Sequence, residues 1–543
     1  MSNVYKSDFF FNVGIDSMGF YAPKYCVDLK ELAEVRNVDP NKYLKGLLTK
    51  EMRIPGPGED VVSMAVKAGQ NALVKGNINP KEIDAIFLGT ETVTYAVKSV
   101  SNILSEILDI SLNCVTQDVY NACAGATLAV LNAVGMINNG IINKALIIGA
   151  DICSYKLKSP GEPTQGAAAA ALVISKNPRI AKFGRRFGKY SANIYDFYRL
   201  PHEEYPVVFG KFSIESYLRF QLGAFDDFFK EEPPILPDYL AFHSPFAKLP
   251  LKNIQNLLKK KWNIMKRILL ENGTSRSASV RVQKEATENL VKIVNNVVDA
   301  IKDEENISNP ELVKEQLIHT IRQRMLPTLN VPISIGNMYS ASIWGQLIYL
   351  LESVVDTDDV IYFGSYGSGA TCISGMLKVL PQCKKITNKG PTVHQYIQYK
   401  EPRSVDDYEQ LRLEGYSHKI KYAYIDPHPK NENNFIKMNI CEEGCIVSKL
   451  EGLNYCPEGR NNKYQKNLPM FAIVKSEPIE NADDADVYRN GLVRVSADTE
   501  KGEIVECNLL RAAKNESAHC IQNGFINWYP TYQPTKMMNF DKF

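Results

Sequence analysis

The sequence predicts an α/β fold: a mainly parallel sheet covered by helices on both faces, with a smaller β-leaning module at the C-terminal end. Two observations carry that prediction. Short apolar runs ending in glycine alternate with stretches of helical periodicity, the pattern of strands joined by crossover helices. The block Thr116–Ala150 reads as strand, polar turn, small-residue helix and Gly-terminated strand, and Pro332–Gly369 has the same layout, which suggests two α/β halves. Any doubly wound protein repeats itself in this way, so pattern alone leaves duplication open.

The elements follow in order. Asp84-Ala-Ile-Phe-Leu-Gly89 and Lys144-Ala-Leu-Ile-Ile-Gly149 are Gly-terminated strands. Between them Val115–Val119 is strand-like, and Ala126, Val130, Ala133, Val134 and Ile137 recur at helical spacing over Gly125–Asn138. In the second half Tyr239–Phe242 is a strand that delivers a histidine. Pro332–Gly336 is a strand leading into a helix over Ser342–Glu352, and Val360–Gly364 is a strand followed by a Gly/Ser-rich turn. A helical insertion spans about Lys252–Arg324, where Leu290, Ile293, Val294, Val297, Val298 and Ile301 form one apolar face. The runs Phe471–Val474 and Leu492–Val495 make the end of the chain β-leaning. The organisation expected is therefore 1–235 and 236–390 as two halves and 391–543 as an extension.

Composition excludes several classes. The chain has 543 residues, 45% of them hydrophobic and 23% charged, so a dominantly disordered protein is out. A formal charge of +2 offers no basic field for nucleic acid. No apolar run reaches the roughly 18–20 residues of a membrane helix, the Ala-rich Ala167–Ile174 being among the longest. The first residues lack signal- and transit-peptide order, and eleven scattered cysteines form no disulfide framework; both predict a cytoplasmic, reducing location.

Three residues are placed to carry chemistry. Cys123 follows a strand and opens a helix of small residues, where free N–H groups and the helix dipole favour a thiolate; taken alone it also reads as a buried cysteine. His243 ends an apolar strand before a Pro-containing turn, as a general base, a holder of a thioester carbonyl, or a core histidine. Glu91 lies just past a strand end, as an acid/base group raised by burial or a solvated surface carboxylate. Gly364-Ser-Tyr-Gly-Ser-Gly369 lacks the spacing and the Lys-Ser/Thr of a phosphate loop, which excludes a P-loop there.

Together these residues resemble the 3-hydroxy-3-methylglutaryl-CoA synthase family of the thiolase superfamily. Seven motifs occur in the family's order over roughly Val13–Leu380: Gly89-Thr-Glu-Thr, Asn121-Ala-Cys, Pro163-Thr-Gln-Gly, Tyr195-Asp-Phe-Tyr, Phe242-His-Ser-Pro, Gly336-Asn-Met-Tyr-Ser-Ala-Ser and Ser365-Tyr-Gly-Ser-Gly. The resemblance implies a thiolase-like, duplicated αβαβα five-layer core, a homodimer, and condensation of acetyl-CoA with acetoacetyl-CoA in the mevalonate pathway. It implies that Cys123 carries the acetyl group, Glu91 acts as general acid/base and His243 holds the acetoacetyl-CoA. Asn337 and Ser365 match residues that contact the acyl group, and Thr164 and Ser213 match positions lining the CoA channel. Lys42, Lys248 and Lys252 match basic positions near the CoA phosphates, and Asp196 orients the catalytic groups. The CoA thioesters are substrates; no cofactor and no metal are implied.

The sequence departs from the family at three places: Ala124 replaces an aromatic or Lys, Pro160 replaces an Asn of animal members, and Gly166-Ala-Ala-Ala replaces a Gly-Ala-Gly-Ala run. These leave the acceptor open, and relatives that build β-branches on carrier-protein substrates are the alternative enzyme. A scaffold docking a partner thiolase through the C-terminal module is an alternative of another class. Cys441, Cys445 and Cys456 lack the paired knuckles of a zinc ribbon.

Overall fold

The computed structural model describes residues 9–413, apart from 57–58, 96, 201–202 and 273–281, and four strands beyond residue 413. The strands of the main body are β1 (Phe10–Tyr21), β2 (Tyr25–Asp28), β3 (Glu51–Ile54), β4 (Ala85–Gly89), β5 (Val115–Val119), β6 (Lys144–Ile152) and β7 (Ala167–Lys176) in its first part. They continue with β8 (Ala181–Gly184), β9 (Gly188–Ser191), β10 (Phe197–Tyr198), β11 (Val207–Val208), β12 (Tyr239–Phe242), β13 (Val360–Gly367), β14 (Thr371–Val379) and β15 (Glu401–Pro402).

One sheet organises the molecule, in the order β12-β13-β14-β8-β1-β7-β6-β4-β5, with β9 paired to β14. At one end β4 runs parallel to β5 and β6, and β7 runs antiparallel to β6 and β1. At the other end β12 runs parallel to β13, and β14 runs antiparallel to β13 and β8. The two ends thus repeat one sequence of strand senses. This is the expected thiolase-like α/β class, but the sheet is mixed and not mainly parallel: β4–β5, β4–β6 and β12–β13 pair parallel and its other pairs are antiparallel, because an apolar run marks a strand without marking its direction. The halves interlock, because β8 and β9 precede residue 235 yet pair with β14.

Small residues let helices approach the sheet from both sides. The strand β7 reads AAAAALVISK and is buried along all but its last residue. The helix Val61–Gly76 packs on it with almost every side chain buried. Its start is set by a reciprocal cap: Asp60 accepts from the Ser63 N–H and Ser63 Oγ from the Asp60 N–H, both at 2.9 Å. The helix Gly125–Asn138 has the bounds its periodicity predicts, and its five expected apolar positions are all buried.

Two further expectations are corrected. Pro332–Gly336 is not a strand; it belongs to the helix Asn330–Ile335, stopped by Gly336 at φ 88°. Every residue of that helix is buried, so an alternating apolar pattern carries no information about period, and Pro332 has no N–H to donate to a ladder. Among the described residues the second half therefore has no strand matching β5. The strand expected to end at Gly364 continues to Gly367 and pairs with β14 throughout. Its glycines serve close approach rather than a turn: a β-carbon on Gly367 would collide with the Asn121 carbonyl.

The helical insertion is observed in the helices Leu249–Lys260, Lys284–Ile301 and Pro310–Arg324, with the predicted face of Lys284–Ile301 buried. Residues 393–413 return to the core. Arg53 donates to the carbonyls of Tyr396 and Ile397 at 2.8 and 2.9 Å, β15 pairs with β2, and Tyr408 lies in the cluster around Tyr25 and Met52. Farther on, Lys421–Ile425, Leu468–Lys475, Asn490–Asp498 and Glu503–Arg511 form a four-stranded sheet, in which Phe471 pairs with Arg494 and Ile473 with Leu492. Cys441, Cys445 and Cys456 lie outside the described residues. Among the described residues no helix is long and apolar enough to cross a membrane.

Candidate active site

The parallel strands β4, β5 and β6 deliver their C-terminal ends to one place. Past β4 comes Glu91; past β5 comes Cys123, at the start of the helix Gly125–Asn138; the end of β6 carries Asp151. The Cys123 thiol donates to Glu91 Oε1 at 2.9 Å. Gly89 makes this approach possible, since a β-carbon there would collide with the backbone of Ala126.

Asp151 holds the Glu91 loop in place and is a residue the sequence reading missed. Its Oδ1 accepts from Thr90 Oγ1, the Glu91 N–H, the Thr92 N–H and Thr92 Oγ1 at 2.8–2.9 Å, and its Oδ2 accepts from the Ser340 N–H at 2.9 Å. Extending the strand two residues past Gly149, which lies beside Gly89 in the sheet, would have found it. Asp151→Asn keeps the shape, loses the charge and turns an amide donor toward the Ser340 N–H. It is expected to cost about 1–3 kcal/mol in denaturant unfolding. In pH–rate profiles it should move the Glu91-dependent limb to lower pH, because one of the charges raising Glu91 is gone.

The second half supplies the opposite wall. Pairing of β12 with β13 sets His243 beside Ser365: the His243 N–H donates to the Gly364 carbonyl at 2.8 Å. Ser365 Oγ accepts from Thr127 Oγ1 at 2.8 Å, which ties β13 to the helix that Cys123 opens. Ser340 Oγ donates to the Ala122 carbonyl at 3.2 Å, closing the ring. Asn337 is buried, and its N–H donates to the Thr164 carbonyl at 3.0 Å, so these two predicted residues meet. Asp196 is buried and accepts from Ser213 Oγ at 3.1 Å, Tyr366 Oη at 2.9 Å and the Gly369 N–H at 2.9 Å. It bonds to none of Cys123, Glu91 and His243; it braces the turn after β13, and Ser213 is spent on that brace. Tyr155, Tyr339, Cys153 and Phe197 pack with Cys123 in one small apolar cluster, a wall the sequence reading also missed.

Of the three predicted lysines, Lys248 and Lys252 stand one helical turn apart and repel each other, while Lys42 lies in the short helix Asn41–Leu44. Lys248 Nζ donates to the Lys45 carbonyl at 3.1 Å, in the turn that follows Lys42, and the Lys252 N–H donates to the Lys248 carbonyl at 3.2 Å. Burial and the charges of Lys252 and Lys292 hold the Lys248 ammonium below its ordinary pKa, an environment that favours a bound anion.

Electrostatics separate the three central groups. Burial alone pushes the His243 imidazole down to about 3, so it is neutral, and neither ring nitrogen has a hydrogen-bond partner among the described residues. Burial, with the Asp151 charge, pushes Glu91 up to about 8. Burial and the Glu91 carboxylate push the Cys123 thiol well above its usual value. The helix-end thiolate expected from the sequence is thus not the resting form, because desolvation and a neighbouring carboxylate outweigh a partial helix charge. Among the described residues no group of three or more His, Cys, Asp or Glu is placed to hold a metal ion.

A mixed sheet that gathers a buried cysteine, a carboxylate on its sulfur and a neutral histidine defines a thiolase-type condensing enzyme of acyl-CoA thioesters. Two family models match in succession: hydroxymethylglutaryl-coenzyme A synthase N terminal over residues 10–179, and its C terminal over residues 183–389. A hydroxymethylglutaryl-CoA synthase of Enterococcus faecalis is 30% identical over 362 residues, covering 66% of this chain and 80% of that protein. One of Methanocaldococcus jannaschii is 34% identical over 242 residues, covering 44% of this chain and 70% of that protein. The solved structure of MvaS in complex with 3-hydroxy-3-methylglutaryl coenzyme A superposes with a TM-score of 0.60 at 26% identity, covering 75% of this chain and 92% of that one. The chain belongs to the hydroxymethylglutaryl-CoA synthase family.

Proposed function

We propose that this protein condenses acetyl-CoA and acetoacetyl-CoA with water to give 3-hydroxy-3-methylglutaryl-CoA and free CoA, in the mevalonate pathway, through an acetyl thioester on Cys123. The observation that carries this reading is the 2.9 Å contact between the buried Cys123 thiol and Glu91. In the first half-reaction Glu91 accepts the thiol proton as sulfur attacks the acetyl carbonyl, and CoA departs as its thiol. Glu91, emptied of that proton, then removes one from the acetyl methyl group. The enolate attacks C3 of acetoacetyl-CoA, and Glu91 returns a proton to the new alkoxide. The His243 imidazole, neutral and with neither nitrogen hydrogen-bonded among the described residues, donates to the acetoacetyl oxygen. Water hydrolyses the enzyme thioester. The steps are acyl transfer, proton transfer, one aldol-type carbon–carbon bond formation and hydrolysis, none of which changes the overall redox state, so the proposed reaction uses no cofactor.

The reading extends to a homodimer in the cytoplasm. The strand β5 is an edge of the main sheet with half-exposed side chains, which leaves its hydrogen-bonding edge for a second copy. A partner thiolase, the class of enzyme that makes acetoacetyl thioesters, is proposed to dock on the module beyond residue 413. The acceptor is tested directly by supplying acetyl-CoA with either acetoacetyl-CoA or an acetoacetyl carrier protein and following products by mass spectrometry. Turnover is expected with acetoacetyl-CoA; turnover only with the carrier protein would overturn the reading in favour of β-branching.

A further inference from the structure

The family models end at residue 389, and a helix beyond them, Val405–Leu413, reaches back to the site. Its Arg412 donates through one nitrogen to Gln165 Oε1 at 2.7 Å and through another to the Tyr155 carbonyl at 2.8 Å. Gln165 Oε1 also accepts from the Tyr155 N–H at 2.6 Å, and Gln165 Nε2 donates to Tyr408 Oη at 2.7 Å. Arg412, Tyr408 and Gln165 are all buried. Glu409 on the same helix pairs with Arg36 at 2.6 Å, and Arg36 forms a two-pronged bond to Glu162 at 2.9 and 2.7 Å.

These contacts lie one step behind the acyl pocket. Tyr155 packs in the cluster that contains Cys123, with its ring edge-on to Phe197 at 6.4 Å and Phe197 edge-on to Tyr339 at 6.1 Å. The segment Glu162–Gly166 touches the pocket elsewhere: the Thr164 carbonyl accepts from the Asn337 N–H, and the Gly166 carbonyl from the Cys153 N–H at 2.8 Å. A planar guanidinium that bridges Gln165 and the Tyr155 carbonyl fixes both strands of this loop at once, which a point charge cannot do.

We propose that Arg412 is a positioning residue for the condensation: through Gln165 and Tyr155 it sets the pocket wall against which the acetyl group on Cys123 is aligned. This rests on the function proposed above. The test uses the full chain and measures kcat per acetylatable Cys123, counting acetylated protein by mass spectrometry after exposure to acetyl-CoA. In Arg412→Ala the number of acetylatable sites is expected to hold while kcat per site falls about tenfold or more, with Arg412→Lys intermediate, since ångström-scale misplacement of a reacting group costs on the order of 10²-fold. A fall under about threefold, or activity lost only in proportion to acetylatable sites, overturns the proposal. If Arg412→Ala does not fold, Tyr408→Phe, which deletes one hydroxyl from the same network, decides by the same measure and threshold. Parent protein that takes no acetyl group on Cys123 would instead overturn the proposed function, so the two failures are distinguishable.

Discussion

Cys123→Ala is expected to take no acetyl group from acetyl-CoA and to lose condensation by about 10⁴-fold or more, the range seen when the nucleophile of a covalent mechanism is removed. The parent should gain one acetyl group per chain, lost again when acetoacetyl-CoA is added. The expectation rests on burial as much as on identity. Cys123 is packed against Tyr155 and Tyr339, and its thiol donates to Glu91. Among the described residues Cys26, Cys153, Cys372 and Cys383 are also buried, and burial raises the pKa of each, with no carboxylate hydrogen-bonded to the thiol. Acetylation that survives in Cys123→Ala would place the nucleophile elsewhere.

Glu91→Ala should separate the two half-reactions. Acetylated protein is expected to accumulate, more slowly than in the parent, while condensation falls by about 10²–10⁴-fold, the usual value of a positioned acid/base group. A variant that cannot be acetylated at all would confine Glu91 to the first step. The pH dependence follows from the same environment. Burial and Asp151 raise Glu91 to about 8, so it holds its proton below that pH and acts as a base above it. Activity should therefore rise with pH through the region near 8, far above the midpoint of an exposed carboxylate. Glu91 and Cys123 share a hydrogen bond, so that limb belongs to the pair. A limb centred between pH 4 and 5 would contradict the buried environment.

Much of this site was legible in the chain. Glu91 and His243 each follow an apolar strand run and Cys123 follows the more polar strand Val115–Val119, and strand ends in α/β sheets are where reactive groups gather. Motif order then joined three individually weak signals. The signals that were missed have physical reasons. Asp151 sits two residues past a glycine that looked like a strand end, and its role depends on β4 and β6 being neighbours, which no local window records. Tyr155 and Tyr339 are separated by almost two hundred residues and meet only across the two halves. Pro332–Gly336 reads as a strand, although it lies in the helix Asn330–Ile335, because complete burial erases the difference between a period of 2 and a period of 3.6.

The sequence by itself determined the α/β class, the bounds of the helix that Cys123 opens and the apolar face of the helical insertion. Those depend on local periodicity and on residue chemistry, which are written along the chain. Tertiary structure decided the protonation of the site and the reach of the C-terminal helix. A pKa is set by the water excluded and the charges brought near, and Arg412 comes to lie against Gln165 only because the chain returns across the core after residue 392. Both are properties of contacts between distant residues, and so exist only once the chain has folded.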